Sequence, residues 1–219
     1  MVGMPLARLS FVLFLFLFHT FVFAFDARFQ IDPAADLVQL ERSGDITAKV
    51  VKSNGAYRSD ASAVLNVNIH TLFAKSIDFD HFQQMGIPNV EQSKIVEYNG
   101  GDILYTWTQM STAGRTSKHY LEVRIDRHLT RSGAMGVMWE LSPKRASWPY
   151  VSDSAFDRLE GSWYVEPLPN GKVYVRYFLN GDVDTSLPSF LVDLVAKRQF
   201  KKGVEDIIRI LAREAGARP

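Results

Sequence analysis

The sequence predicts an α+β domain: a run of antiparallel strands followed by one long amphipathic helix. Two observations predict it. From residue 102 onward, segments rich in aromatic and β-branched residues recur between Gly, Pro, Asn and Ser turns: Asp102 to Gln109, Ser117 to Asp126, Ala134 to Ser142, Gly161 to Leu168 and Lys172 to Asn180. Consecutive strands with short links favour an antiparallel meander. Pro188 to Ala215 then switches period, with Leu191, Val195, Phe200, Val204, Ile207, Ile208 and Leu211 at helical spacing and charges between them. Such a stripe must be buried against something, and the preceding sheet is the only large partner. Strands in a run and then a helix give α+β, not parallel α/β. A twisted sheet wrapped around one helix can enclose a tunnel instead of a closed core.

The elements follow in chain order. Arg8 is the only charged side chain in the first 24 residues, Phe11 to Phe18 is unbroken apolar, and Val22-Phe23-Ala24 offers a small-residue exit. A positive start, an apolar stretch and a small-residue cleavage site are the parts of a secretory signal. The run is broken by His19 and Thr20 and is short for a membrane span. The expectation is a cleaved signal peptide over 1–24, one domain over 25–219, and export to a bacterial periplasm. Ala34 to Glu41 reads as a short helix capped by Asp32, with Pro33 at its first position. Asp45 to Lys52 reads as a strand before the turn signal Asn54-Gly55, and Ser62 to Asn68 as a second strand. Ile69 to Met85 holds one or two short helical pieces ending near Gly86 and Pro88, and Glu91 to Tyr98 is a further strand.

Composition narrows the function. Cleavage after Ala24 removes 24 of 219 residues, including Arg8, and leaves 24 Lys plus Arg against 24 Asp plus Glu. A balanced domain gives no support for nucleic-acid binding, which needs a basic face. There is no cysteine, hence no disulfide framework, no lipid anchor on an N-terminal Cys and no thiolate metal site. His70, His81, His119 and His128 show no metal-ligand spacing, and neither a nucleophile elbow nor a phosphate-binding loop is present. Neither a cofactor nor a metal is expected.

Particular segments resemble a known family. Asp102-Ile103-Leu104-Tyr105 is similar to one strand of START domains (steroidogenic acute regulatory protein-related lipid transfer). Gly161-Ser162-Trp163, Pro167 and Gly171-Lys172-Val173 to Tyr177 resemble the strand pair before that family's final helix, and Asp182 to Leu187-Pro188 its short loop opening the helix. The resemblance spans about residues 60 to 212. It implies the helix-grip fold, a curved antiparallel sheet around a long C-terminal helix, in the superfamily that includes plant pathogenesis-related allergens and polyketide cyclases. Its expected ligand is a lipid or another hydrophobic small molecule. One departure stands out. Where many members carry an Arg-Asp pair, this chain has Lys118 and His119. The ligand of animal sterol carriers therefore does not transfer on resemblance.

The candidate ligand-binding residues are Tyr105, Trp107, Tyr120, Arg124, Met138, Trp163, Tyr177 and Gly203. Aromatics with a few polar tips make the walls of hydrophobic sites, and Met138 adapts to a flexible tail; ordinary core packing is the competing explanation for each. The resemblance turns Arg124 inward, paired with Glu122 or Glu140, to meet a ligand head group. Strand alternation instead makes Leu121, Val123 and Ile125 the apolar face and leaves Tyr120, Glu122 and Arg124 on the other. A glycine inside a helix costs about 1 kcal/mol relative to alanine, and the resemblance places Gly203 at the tunnel, where it opens space. Loop 143–158 carries Trp148-Pro149-Tyr150 beside Lys144 and Arg145, a composition that suits transient contact with a membrane surface. The leading reading is a non-catalytic lipid-binding or lipid-transfer protein. The alternatives are a cyclase- or hydrolase-type enzyme using His119 or Glu122 as acid or base, and an interaction protein whose aromatics interlock and leave no cavity.

Overall fold

Period-two alternation sorts every strand into two faces, and the tertiary structure assigns those faces to opposite sides of one sheet. The structure is a computed structural model that describes residues 46–53, 56–112, 115–130, 132–142, 158–182 and 189–217. The signal segment, the helix expected at Ala34 to Glu41, the Asn54-Gly55 turn and all of loop 143–158 except Arg158 lie outside the described residues. Everything described falls in one unit, Gln39–Pro219.

The strands are β1 (Thr47–Ser53), β2 (Ala56–Leu65), β3 (Val90–Tyr98), β4 (Ile103–Thr112), β5 (Arg115–Asp126), β6 (Met135–Leu141), β7 (Leu159–Pro167) and β8 (Val173–Asp182). They form one antiparallel sheet in the order β1-β2-β8-β7-β6-β5-β4-β3. The meander from β3 to β8 follows the sequence expectation. The β1–β2 hairpin joins beyond it, against β8, by a pairing of residues more than a hundred apart, such as Ala61 with Tyr177. The second strand is Ala56–Leu65 and not Ser62 to Asn68. Asn68 serves another purpose: its side chain accepts the Thr71 N–H at 3.0 Å and caps α1 (Ile69–Ser76).

Helix α1, a 3-10 turn at Phe79–His81 and α2 (Phe82–Met85) link β2 to the far edge strand β3. Gly86 ends α2 at φ +78, the left-handed conformation that favours glycine. The exposed edge β3 is irregular at two places, between Val90 and Gln92 and between Ile95 and Glu97, and Ile95 N–H donates to Asp80 Oδ1 at 2.7 Å. Bulges and occupied donors discourage pairing with another chain.

Helix α3 (Ser189–Glu214) packs against β2, β1 and β8. Val204, Ile208 and Leu211 are buried in the core with Ala61, Ala63 and Val175 of the sheet. Phe200 stacks on Tyr57 at a ring distance of 5.8 Å. Near the other end, Arg213 donates to the Met85 carbonyl at 3.1 Å and ties α3 to α2.

The face turned away from α3 is also substantially buried. It carries Tyr105, Trp107, Tyr120, Tyr164 and Tyr174. On this face Arg176 of β8 grips Asp60 of β2 with two donors, Nε to Oδ1 at 2.7 Å and Nη2 to Oδ2. The pair is largely buried and staples the hairpin to the meander. Replacing Asp60 with alanine removes the carboxylate and leaves a guanidinium in a poorly solvated place. It is expected to cost about 2 kcal/mol, read as a fall in the urea midpoint at unchanged slope.

Candidate functional site

Between the sheet and α3 lies a cavity of about 130 Å³. That is close to the roughly 150 Å³ of an engineered apolar cavity that stays dry and takes benzene. Its sheet wall includes Thr108, Met110, Leu121, Trp139, Trp163 and Tyr177. Phe200, Gly203, Val204 and Ile207 of α3 close it on one side. Phe79, Phe82 and Ile87 of the β2–β3 connection, with Val90 at the start of β3, close it on another.

The strands explain the wall. In β5, Leu121, Val123 and Ile125 face α3; in β6, Val137 and Trp139; in β7, Trp163 and Val165; in β8, Val175 and Tyr177. The aromatics form a connected platform: Trp139 stacks on Tyr177 at 5.6 Å, and Tyr177 meets Trp163 at 4.3 Å. Ring pairs in this range add stabilisation beyond their buried area.

A glycine makes the platform possible. Gly161 is the register partner of Trp139, and a Cβ there would lie 2.2 Å from Trp139 Cζ2 and 2.8 Å from the Phe178 carbonyl oxygen. The indole lies across the strand only because Gly161 has no side chain. An isolated glycine inside a strand pattern is the sequence signal for such a close approach, and it passes unread in the sequence because Gly161 also sits at the start of its predicted strand.

Gly203 works in the opposite sense. A Cβ built on it meets nothing within 4 Å. It does not admit a neighbour; it leaves space, and that space is the cavity.

The polar side chains of the described lining are Ser76, Asn89, Thr108 and Tyr177. Ser76 Oγ donates to the Phe73 carbonyl at 2.7 Å. Thr108 Oγ1 lies 3.3 Å from Ser93 Oγ, across the β3–β4 pair. Burial raises the Tyr177 phenol well above its ordinary pKa, so it stays neutral. Among the described residues no Lys, Arg, Asp or Glu lines the cavity.

Of the eight candidate ligand-binding residues, Trp163, Tyr177 and Gly203 line this cavity. Tyr105, Trp107, Tyr120, Arg124 and Met138 do not: alternation puts them on the opposite face of the sheet. The inward orientation that the resemblance implies for Arg124 is thereby corrected. Thr106 and Thr108 hold the inward positions of β4, and Val123 and Ile125 those of β5. Arg124 is half-exposed and donates through Nε and Nη2 to Glu122 Oε1 at 3.0 and 2.8 Å, with Glu140 at 3.9 Å. Phe79, Phe82 and Ile87 are not legible as wall residues in the sequence, because nothing in their local spacing says that the connection crosses the mouth of a sheet.

His119 is fully buried on the α3 side of β5, opposite Thr108, with Nε2 2.7 Å from Ser117 Oγ. It lies beside the cavity without lining it. Among the described residues no cluster of His, Asp or Glu suits a metal ion, and no helix is long and apolar enough to cross a membrane.

No family model matches the chain, and no curated protein matches it. Solved structures do. The STAR-related lipid transfer protein of Xanthomonas axonopodis is similar with TM-score 0.63 at 17% identity, over 79% of this chain and 94% of that one. Human StAR-related lipid transfer protein 5 is similar with TM-score 0.56 at 14% identity, over 88% and 97%. The Zhui aromatase/cyclase of Streptomyces sp. R1128 is similar with TM-score 0.53 at 9% identity, over 73% and 93%. Identities this low speak to architecture, and the architecture agrees with the antiparallel strand order and the C-terminal helix: the chain has the START-like, helix-grip fold.

Proposed function

We propose that this protein binds and transfers one hydrophobic ligand of the lipid class, held between the sheet and α3. The observation that carries the reading is the cavity itself: apolar walls, an aromatic platform and a helix glycine that faces open space. A core selected only for stability fills such volume, because empty space costs about 24 cal/mol per Å³. Apolar burial worth about 25 cal/mol per Å² drives binding. At about 130 Å³ the cavity takes one ring or a short acyl segment, so a larger ligand displaces wall side chains such as Phe82 or Phe200. Two of the similar structures are named for lipid transfer, which agrees with this reading.

The proposal extends to place and delivery. The protein is exported through a cleaved signal over residues 1–24, to a periplasm, and loop 143–158 meets the membrane surface when ligand is exchanged; the support is the composition of those segments. The enzyme alternative has less support. Glu122 pairs with Arg124 on the far face, and the cavity wall carries neither a carboxylate nor an imidazole among the described residues.

Native mass spectrometry of the protein purified from its own host, with lipids retained, tests the function. A stoichiometric added mass that dissociates as a lipid is the expected result. A clean apo mass that stays unchanged when lipids are offered would sink the carrier reading.

A further inference from the structure

We infer that the cavity selects a ligand whose buried head is a single uncharged oxygen, a hydroxyl or a carbonyl, received by Thr108. This rests on the reading that the cavity holds a ligand, and it names the ligand's chemistry.

The argument begins with charge. No side chain lining the cavity, among the described residues, is Lys, Arg, Asp or Glu. Arg124, the cation that the resemblance would offer to an anionic head, is on the other face of the sheet and engaged with Glu122. An ionised head drawn into this space would lose its water with no counter-charge, at a cost of several kcal/mol. Among the described residues nothing offsets that cost for a phosphate or carboxylate, whereas a neutral oxygen needs only one hydrogen bond.

Among the described lining residues the polar side chains are Ser76, Asn89, Thr108 and Tyr177, and the bond is placed at Thr108 because it alone belongs to a buried polar network that runs across the sheet. Thr108 lines the cavity and is 4% exposed. It belongs to a polar rung across three strands: Ser93 on β3, Thr108 on β4 and His119 on β5 are cross-strand partners, and His119 continues to Ser117. Thr108, His119 and Ser117 are all buried. Thr108 is the member of this rung that reaches the cavity, where its neighbours on the sheet wall include Met110, Leu121 and Trp139. A threonine hydroxyl both donates and accepts, so it serves an alcohol or a ketone equally. Ser93, 3.3 Å behind it, takes up whichever role the ligand leaves.

The test uses the delipidated protein and three probes of one chain length, 1-decanol, decanoate and decyl phosphate, titrated by calorimetry at a pH of about 7.5, where the latter two are ionised. Wild type is expected to bind 1-decanol at least about tenfold more tightly than either anion. Thr108→Val, which keeps the shape and removes the hydroxyl, is expected to weaken 1-decanol about fivefold and leave the anions unchanged. Should that variant fail to fold, Ser93→Ala removes the partner behind Thr108 and is expected to weaken 1-decanol about twofold. Equal or tighter binding of an anion overturns the inference, as does wild-type affinity for 1-decanol in the folded variant; in both cases the carrier reading stands. Binding of none of the three probes overturns the inference and counts against the carrier reading as well.

Discussion

Gly203→Leu is expected to abolish ligand binding while leaving the protein at least as stable as wild type. The cavity side of Gly203 is open: a Cβ placed there meets nothing within 4 Å. A leucine there enters space that the ligand otherwise occupies. The helix gains as well: glycine in a helix interior costs about 0.5–1 kcal/mol relative to good helix formers. The new side chain also buries apolar surface against Val204, Ile207 and the sheet. Two measurements check this: the thermal midpoint, expected to rise by a few degrees, and the fraction of protein carrying ligand in native mass spectrometry, expected to fall below about a tenth of wild type. Gly203→Ala is the control, expected to gain about as much helix stability and to retain ligand. Full ligand occupancy in a folded Gly203→Leu protein would place the ligand elsewhere. The combination matters because loss of binding through damage lowers stability, whereas loss through filling raises it.

Gly161→Ala is expected to do the reverse and cost about 3 kcal/mol, the upper end of ordinary overpacking. One methyl group would meet the Trp139 indole at 2.2 Å and a backbone carbonyl at 2.8 Å. The indole can rotate away, but only by breaking its stack on Tyr177 and sweeping into the cavity. The carbonyl belongs to Phe178 in the neighbouring strand β8 and moves only with the ladder. Urea denaturation is expected to show a lower midpoint, with reduced ligand occupancy in the protein that remains folded. A double variant that also shortens Trp139 to leucine separates the two clashes, because it relieves the indole and not the carbonyl. It is expected to recover part of the loss, so the two substitutions will not be additive. Full additivity would mean that the indole does not rest on Gly161.

The two glycines divide the legibility of this site between them. Gly203 stands out along the chain because a helix-interior glycine needs a compensating reason, and its helix is legible from the 3.6-residue period of Phe200, Val204, Ile207 and Leu211. Gly161 lies at the border of a predicted strand, and what it accommodates comes from β6, a different strand of the sheet.

What the sequence determined by itself was the set of elements and their order, because periodicity and turn residues are local properties. It placed β3 to β8 and α3 to within a few residues, and it split β5 into two alternating sets. What only the tertiary structure decided was which set faces the cavity. Both sets of β4 and β5 contain large apolar groups, Leu104 and Leu121 on one side, Tyr105, Trp107 and Tyr120 on the other. Alternation alone ranks neither, and the resemblance pointed to the side of Arg124. The choice is made by the apolar stripe of α3 and by the pairing of β2 with β8, contacts between residues more than a hundred apart. A one-residue change of face moves every side chain of a strand to the other surface, so long-range packing, which no local pattern encodes, decides which residues form the cavity wall.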